Sequence, residues 1–255
     1  MKISVITVVY NGEKTIRDTI DSVLRQTLTD VEYIIVDGIS TDSTLSIIRS
    51  YGDRITKVIS EKDRSMYDAI NKGILCATGD IIALLNSDDL YADTEVLARV
   101  AHEFEKDSTI GCVYGDLDYV ARDNPQKITR SWKSNPYVLG MFKKGWHPAH
   151  PSFFVRKSVY EKYGLYRTDL KIASDYEMML RLLEIHKITS VYIPNVLVKM
   201  RTGGMSNKTL WHIIKANIET LRAWKLNGLP IPYLVFFKKP SSKLRQIKNT
   251  PGWGA

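Results

Sequence analysis

The first 105 residues alternate between short apolar runs and longer stretches in which apolar residues recur every three or four positions. The apolar runs predict buried strands at 3–10, 32–36, 55–60 and 81–85. The intervening stretches predict amphipathic helices at 13–27, from 42 or 43 onward, at 66–77 and at 93–106. This strict alternation predicts an α/β fold with a parallel sheet and right-handed crossovers.

The second half of the chain has a less regular pattern. It predicts further strands at 110–114, 117–121, 191–193 and 196–200, and helices at 157–163 and 172–185. Residues 124–145 contain proline, glycine and lysine and indicate a flexible excursion, whereas 202–206 indicate a loop. The last periodic stretch predicts a helix over 207–226 with four side chains turned inward, Leu210, Ile214, Ile218 and Leu221.

Charge is distributed unevenly along the chain. The sequence has a net charge of +8 at neutral pH, but residues 196–255 hold eleven Lys or Arg against one Glu, a local net of +10. The preceding 195 residues therefore sum to −2. A basic end on a near-neutral body indicates an anionic surface as partner, either membrane headgroups or nucleic acid.

Cysteine usage and the lack of long apolar runs bear on location. Cys76 and Cys112 lie in apolar surroundings and are most simply buried free thiols, which favours a reducing cytoplasm. The chain runs from Met1 straight into a predicted strand, without the pattern of a signal peptide. No apolar run reaches the ~20 residues that a membrane-spanning helix needs.

Polar side chains follow each of the first four predicted strands. They are Tyr10 and Asn11, Asp37, Glu61 and Asp63, and the segment Asn86-Ser87-Asp88-Asp89. Open α/β sheets bind ligands at the carboxyl ends of their strands, so these side chains are candidates for one site. The carboxylates of Asp88 and Asp89 would repel each other unless a cation or hydrogen-bond donors neutralised them, and such oxygens suit Mg²⁺ or Mn²⁺. A turn followed by a helix cap is the alternative for this segment.

Five segments in a fixed order carry a family resemblance. They read SVITVVYNGEKTI, EYIIVDGISTDST, SEKDRSMYDAINKGI, GDIIALLNSDD and ASDYEMMLRL. In this order they resemble the family 2 glycosyltransferases of the GT-A fold, over residues 3–206. The resemblance implies a Rossmann-like, mostly parallel central sheet flanked by helices, with a nucleotide-binding half over 1–105 and an acceptor-binding half over 106–206. Residues 207–255 would then form a C-terminal helix and a basic extension. Neither GxGxxG nor GxxxxGK[ST] is present, so the dinucleotide fingerprint and the P-loop do not apply.

The resemblance implies a donor site for a nucleotide-diphosphate sugar, most simply a UDP-hexose. It places these residues at that site: Thr7, Val9, Tyr10, Asn11, Asp37, Asp63, Lys72, Asn86, Ser87, Asp88, Arg201 and Ser206. Asp89, together with Asp88, would coordinate the Mn²⁺ or Mg²⁺ that bridges the two phosphates. Asn86 stands where many relatives have an aspartate, which leaves a neutral group at that position. The glycine loop with Arg201 and Ser206 would close over the diphosphate, a plain connecting loop being the alternative.

Asp175 is the candidate catalytic base, because the resemblance places the family's base at this position, with Glu177 as the substitute. It would take the proton of the acceptor hydroxyl in a single inverting displacement. The alternative is an acidic residue that stabilises a helix N-terminus. Trp146 and His150 would form the acceptor wall together with Glu177. His147 and His150 could also ligate zinc, but no third ligand lies in a recognisable pattern.

Resemblance to bacterial surface-polysaccharide enzymes of the O-antigen, capsule and colanic-acid type implies an acceptor sugar carried on a polyprenyl diphosphate. Aromatic and basic residues over 229–255 then favour peripheral contact with the anionic inner face of the cell membrane, packing against the body being the alternative.

Two other functions stay open on the residues alone. A nucleotidyltransferase acting on sugar phosphates also uses strand-end carboxylates and metal, although the sequence lacks a glycine- and arginine-rich triphosphate loop. A non-enzymatic nucleic-acid-binding protein fits the basic end, but the first 195 residues supply no basic groove with stacking residues.

Overall fold

The computed structural model describes residues 1–203 and 210–231 of the chain. Within them the strands are β1 Ile3–Val9, β2 Val31–Asp37, β3 Lys57–Ser60, β4 Ile81–Leu84, β5 Leu90–Tyr91, β6 Ile110–Ala121, β7 Asn124–Trp132, β8 Phe153–Arg156 and β9 Thr189–Arg201. The α-helices are α1 Ile16–Leu24, α2 Thr44–Arg49, α3 Met66–Cys76, α4 Val96–Lys106, α5 Lys157–Tyr163, α6 Ser174–Leu180 and α7 Leu210–Leu226. The predicted alternation over the first 105 residues is confirmed, apart from the short strand β5.

All of these strands belong to one sheet. Its order is β3-β2-β1-β4-β8-β6-β9-β5, and β7 pairs with β6 off this path. The strands β1, β2, β3 and β4 are mutually parallel, as are β6 and β9. The strand β8 lies between β4 and β6 and is antiparallel to both. The predicted α/β fold is confirmed, with a parallel first half and a mixed second half.

Helices cover both faces of the sheet, which explains the uninterrupted apolar runs. On one face, α1 and α4 pack against alternate residues of β1, including Ile3 and Val5. On the other face, α3, α6 and α7 pack against a layer that includes Ile6. Each isoleucine buried in this way stabilises the fold by about 1.5–3 kcal/mol. Cys112 is buried as predicted, whereas Cys76 is partly exposed.

The second half contains longer strands than the sequence predicts. The two predicted strands at 110–114 and 117–121 form the single strand β6, with a register shift at Gly115 and Asp116 where a break was expected. The strands predicted at 191–193 and 196–200 likewise merge into β9. Residues 124–132, expected in a flexible excursion, form β7 in a hairpin with β6. A glycine followed by an aspartate is therefore accommodated as a bulge within paired strands.

Two helices also differ from expectation. The predicted helix 172–185 is α-helical only over α6 and continues as a π-helical turn, Arg181–Ile185. On α7, Ile214 and Ile218 are exposed rather than turned inward, and Leu221 is only partly buried. The buried face of α7 is formed instead by Glu219, Thr220, Ala223 and Trp224. No helix in the described part of the chain has the length and apolar character needed to cross a membrane.

Candidate active site

The donor side of the site is built from the carboxyl ends of β1, β2 and β3, which lie next to one another because these strands are parallel. Asn11 follows β1 with a φ of 52°, a left-handed turn that asparagine tolerates. Gly38 follows β2, and a Cβ added there would lie 3.6 Å from the Tyr10 ring and 3.4 Å from Asp63 Oδ2. The structure therefore brings Tyr10 and Asp63 together around Gly38, as predicted from the strand ends.

Asp37 is wholly buried and holds the loop after β2. Its two oxygens accept hydrogen bonds from the Ser40 backbone N–H at 3.2 Å, and the Ser60 hydroxyl donates to Oδ2 at 2.7 Å. Asn11 Oδ1 accepts from the backbone N–H of Thr41 at 2.8 Å, which ties this loop to β1. These bonds explain how the loop is shaped, and the donor-binding role of Asp37 stays a prediction.

Lys72 places a positive charge at the end of β3. Its Nζ donates to Asp63 Oδ1 at 2.7 Å and lies 2.7 Å from Glu61 Oε1. Hydrogen bonds to these two carboxylates raise the pKa of Lys72 above its usual value. The ammonium group therefore stays charged at neutral pH, beside Asp63, and both residues belong to the predicted donor site.

Thr7 does not lie at this edge of the sheet. It occupies the middle of β1, is wholly buried, and its hydroxyl lies 3.1 Å from the Tyr33 hydroxyl on β2. The donor role that the resemblance gave to Thr7 is not supported, because its side chain is enclosed by the core. Val9, the last residue of β1, is also buried but borders the edge, since a Cβ on Gly12 would lie 2.7 Å from it.

The segment after β4 forms a tight turn around a buried carboxylate. The Asp89 backbone N–H donates to the Asn86 carbonyl, and Asn86 Nδ2 donates to Asp89 Oδ2 at 2.9 Å. Asp89 has no exposed surface, and its Oδ1 has no hydrogen-bond partner among the described residues. Burial first, and then the Asp88 carboxylate, raise the pKa of Asp89. Asp88 itself remains partly exposed.

These carboxylates fit a divalent cation. The described residues contain no cluster of three or more His, Cys, Asp or Glu side chains that could enclose a metal. The segment offers the accessible carboxylate of Asp88 and the partnerless Oδ1 of Asp89. Mg²⁺ and Mn²⁺ are commonly held by one or two carboxylates and completed by substrate phosphates and water, so two protein ligands suffice.

Arg201 lies at the end of β9 and not in the predicted loop. Its guanidinium is buried, donates to the carbonyl oxygens of Asp88 and Arg122 at 3.0 and 3.1 Å, and pairs with Asp18. Arg201 therefore supports the backbone of the acidic segment from a strand, and its part in closure over the diphosphate stays a prediction. Ser206, the other predicted loop residue, lies outside the described residues.

On the acceptor side, Asp175 lies in the first turn of α6 with its side chain 29% exposed. Its Oδ1 accepts a hydrogen bond from the Tyr176 backbone N–H at 2.8 Å. The Tyr67 hydroxyl lies 3.3 Å from the same oxygen and 2.9 Å from the Ile172 carbonyl. Asp175 Oδ2 lies 3.6 Å from His150 Nδ1. One oxygen of the carboxylate is thus fixed, and the other faces the imidazole.

His150 is brought to Asp175 by the short helical turn His150–Ser152, which immediately precedes β8. Burial lowers the pKa of His150, and the nearby Asp175 carboxylate only partly opposes this effect. Nε2 of the imidazole is buried and has no hydrogen-bond partner among the described residues. The structure thus brings together His150 and Asp175, which the sequence had placed only in a common half.

Glu177 is placed differently from the predicted acceptor wall, whereas the acceptor-binding role of Trp146 stays a prediction. Trp146 is partly buried and stacks on Tyr137 with a centroid distance of 6.2 Å, within an aromatic cluster. Glu177 is 1% exposed, and its Oε1 accepts hydrogen bonds from Arg181 and Asn227, both at 3.0 Å. Because Glu177 is enclosed and paired, it is available neither to an acceptor nor as a substitute base, and that prediction is wrong.

Tyr67 is the site residue that sequence reasoning missed. It lies near the start of α3, which Ser65 caps by accepting a hydrogen bond from the Asp68 backbone N–H at 3.2 Å. Its ring stacks on Tyr166 with a centroid distance of 5.8 Å. Burial, and then the Asp175 carboxylate, raise the pKa of Tyr67, so the phenol keeps its proton. The sequence feature that could have indicated Tyr67 is its position in the first turn of a helix that begins after a capping serine and follows β3.

The comparisons with known proteins agree with this geometry. The sequence model described as "Glycosyl transferase family 2" matches residues 4–164, well over half of the chain. The chain belongs to glycosyl transferase family 2. A curated relative, the "PGL/p-HBAD biosynthesis glycosyltransferase" of Mycobacterium bovis, is 28% identical over 209 residues, which cover 80% of this chain and 78% of the relative.

Solved structures show that this family 2 glycosyltransferase has the GT-A fold. S. aureus TarS 1–349 in complex with UDP superposes with a TM-score of 0.64 at 18% identity, covering 93% of this chain and 68% of TarS 1–349. Mannosyltransferase PcManGT from Pyrobaculum calidifontis, in complex with GDP-Man and Mn²⁺, gives a TM-score of 0.62 at 18% identity, covering 100% of this chain and 76% of PcManGT. The expected GT-A, Rossmann-like architecture is therefore confirmed.

Proposed function

We propose that this glycosyltransferase moves a hexose, with inversion, from a UDP-linked donor to a sugar carried on a polyprenyl diphosphate, in bacterial surface-polysaccharide biosynthesis. The observation that carries the proposal is the environment of Asp175. Its Oδ1 is oriented by the Tyr176 N–H, its Oδ2 lies 3.6 Å from His150 Nδ1, and the side chain as a whole is 29% exposed. A carboxylate held in this way has one oxygen available to take a proton.

The donor would occupy the carboxyl ends of β1, β2 and β3. Tyr10, Asp63 and Lys72 lie together at that edge, with Asp88 next along the sheet. Asp88 and Asp89 would hold Mn²⁺ or Mg²⁺, and Asp88 is the ligand that faces solvent. When bound, such a cation would neutralise charge on the diphosphate as it leaves. The solved relatives with UDP, UDP-GlcNAc and GDP-Man support a nucleotide-sugar donor.

The transfer is a single displacement. The acceptor hydroxyl lies against Asp175 Oδ2, and its proton passes to that oxygen while the acceptor oxygen bonds to the anomeric carbon. The bond from the anomeric carbon to the phosphate oxygen breaks, and its electron pair leaves with UDP. Attack opposite the leaving group converts an α-linked donor into a β-linked product. His150, which burial keeps neutral, would contact the acceptor next to the reacting hydroxyl.

The name of the mycobacterial relative, which refers to PGL/p-HBAD biosynthesis, supports a role in glycoconjugate biosynthesis. The lipid-linked acceptor rests on the resemblance described from the sequence. With such an acceptor, the enzyme would work as a peripheral protein at the cytoplasmic face of the membrane. The predicted contact over 229–255 falls almost wholly outside the described residues, which end at 231, and it stays a prediction.

Replacement of Asp175, the proposed catalytic base, tests this proposal. Asp175→Asn keeps the shape of the side chain and removes its basicity, so we expect transfer to fall about a hundredfold to ten-thousandfold with donor affinity unchanged. Release of UDP would be measured with UDP-hexoses, Mn²⁺ and a lipid-diphosphate sugar, with GDP-mannose as the competing donor. Asp53→Asn is the matched control, because Asp53 lies on an exposed turn and is distant from Asp175 in the sequence. Near-normal turnover of Asp175→Asn, or release of pyrophosphate in place of UDP, would exclude the proposal.

A further inference from the structure

The helix α7 carries an apolar stripe that the rest of the described chain leaves uncovered. Trp211 is 76% exposed, Ile214 is 40% exposed and Ile218 is 58% exposed. Their spacing of three and four residues places them on one face of the helix. Isoleucines at this spacing normally face a core, so their exposure on a soluble surface indicates a partner.

Basic side chains lie along the same stripe. Lys215 is four residues from Trp211, and Lys225 is seven residues from Ile218, so both are on the exposed face. The single acidic residue of α7, Glu219, is buried on the opposite face. The stripe therefore combines three apolar side chains with positive charge and has no carboxylate of its own helix to oppose it. Here we call Trp211, Ile214, Lys215, Ile218 and Lys225 the α7 ridge.

The opposite face of α7 is attached to the helix that carries Asp175. Glu219 Oε2 accepts hydrogen bonds from the Ile172 and Ala173 backbone N–H groups, at 2.7 and 3.0 Å, immediately before α6. Trp224 Nε1 donates to the Tyr176 hydroxyl at 2.9 Å. Two of these three hydrogen bonds are buried and the third is partly buried, so the two helices pack as one unit. The orientation of the α7 ridge therefore determines the orientation of the proposed base.

We infer that the α7 ridge is a docking surface for an anionic lipid bilayer. A tryptophan and two isoleucines flanked by lysines match the interfacial region, where apolar side chains enter the acyl boundary and ammonium groups meet lipid phosphates. A second copy of the chain fits less well. Three side chains that each bury at most about 200 Å² of surface would bury less than the ~800 Å² per partner that stable dimers bury.

This inference rests on the proposed function for its purpose, because a lipid-linked acceptor is presented at the bilayer surface. Docking through the α7 ridge would hold Asp175 at a constant height above the headgroups. The acceptor sugar would then meet the base without the enzyme having to extract the lipid. The binding itself can be measured without any donor or acceptor.

Vesicle sedimentation tests the surface. The full chain would be mixed with phosphatidylcholine vesicles with and without phosphatidylglycerol. We expect binding to the anionic vesicles, weakened by salt, and reduced about tenfold or more in the double variant Trp211→Ser with Ile218→Ser. Lys215→Gln with Lys225→Gln should weaken binding only to anionic vesicles. Leu75→Ser is the matched control, because Leu75 is 72% exposed on α3 and lies outside the ridge.

Three outcomes would overturn the inference. They are no vesicle binding by the wild type, unchanged binding by the ridge variants with normal circular dichroism, and ridge-dependent self-association in analytical ultracentrifugation. Self-association would identify another copy of the chain as the occupant of the ridge. Unchanged binding by the ridge variants would show that another part of the chain binds the vesicles. Release of UDP with a water-soluble acceptor is measured in parallel. If the enzyme released no UDP but still bound vesicles, the proposed function would be contradicted and the inference about the α7 ridge would not.

Discussion

The two oxygens of Asp175 have different surroundings, and this difference has a chemical use. Oδ1 is oriented by a backbone N–H and lies beside the Tyr67 hydroxyl, whereas Oδ2 lies beside His150 in a side chain that is 29% exposed. Because the Tyr67 phenol keeps its proton, it can act there only as a donor. A carboxylate fixed on one side cannot rotate away, so the free oxygen is presented to an incoming hydroxyl in one orientation.

His150 gives a stability prediction that depends on pH. Its folded pKa lies below the ordinary 6.5, so the folded state keeps the imidazole neutral where the unfolded chain takes up a proton. The contribution to stability is complete above the unfolded pKa and is lost as the pH falls. We therefore expect wild type to lose more free energy of unfolding than His150→Gln between about pH 7.5 and about pH 5.5.

Urea denaturation at the two pH values would measure this difference. Other groups titrate in both proteins, so the comparison isolates the imidazole and its contact with Asp175. Equal losses in wild type and His150→Gln would show that the histidine is not held neutral by burial. His102→Gln, a change at an exposed position on α4, is the matched control and should behave like wild type.

The acidic segment gives a prediction about metal dependence. If Asp88 and Asp89 hold the cation, chelation should abolish transfer and Mn²⁺ should restore it. Asp88→Asn should raise the Mn²⁺ concentration needed for half-maximal rate by about tenfold or more, because one carboxylate ligand is lost. Asp89→Asn should do the same and also stabilise the metal-free fold at neutral pH, because burial raises the pKa of Asp89 and folding must therefore oppose the ionisation that occurs in the unfolded chain.

Manganese titrations of UDP release, with thermal unfolding of each variant, would check both effects. Asp93→Asn is the control, because Asp93 pairs with Arg99 at 2.7 Å on the surface shortly after the segment. Full transfer in the presence of chelator would show that the cation is not required. An Asp89→Asn variant with an unchanged manganese response would leave Asp88 as the only protein ligand in this segment.

At the scale of elements, the contact between β6 and β9 depends on Gly115. A Cβ at this position would lie 2.5 Å from Leu197 Cγ and 2.9 Å from the Asn195 carbonyl oxygen. Gly115→Ala should therefore destabilise the fold by about 1–3 kcal/mol through overpacking. Urea denaturation would measure the loss.

A second variant distinguishes this clash from a general effect of the substitution. Leu197→Ala removes the side chain that the new Cβ meets, so Gly115→Ala should cost less in that background. Strictly additive free energies of unfolding would show that Leu197 is not the obstacle and would contradict the explanation.

Periodicity predicted the existence of α7 but assigned its faces incorrectly. The isoleucines at 214 and 218 have the spacing of a buried stripe, which is why they were expected to face inward. The face that is buried is decided by Glu219 and Trp224, whose polar atoms bond to the start of α6 and to Tyr176. Such bonds join residues almost fifty positions apart, and no local pattern encodes them.

For the whole molecule, the parallel half was predictable and the mixed half was not. Strands buried on both faces leave continuous apolar runs, so β1, β2 and β4 were found, and with them the strand-end carboxylates. The insertion of β8 between β4 and β6 has no such signal, because four residues suffice and the pairing is long-range. That insertion sets the position of His150, which is why its contact with Asp175 could not be predicted.

The insertion of β8 between β4 and β6 also affects the chain while it is being synthesised. Leu84 ends β4 and Phe153 begins β8, so the strand that pairs with one edge of β4 begins 69 residues after β4 ends. During synthesis the apolar strand that leads into the acidic segment is therefore exposed at an open sheet edge, the kind of surface that recruits other strands. Non-local pairing of this kind also slows folding. Newly made chains are thus most prone to aggregation before β8 has emerged from the ribosome.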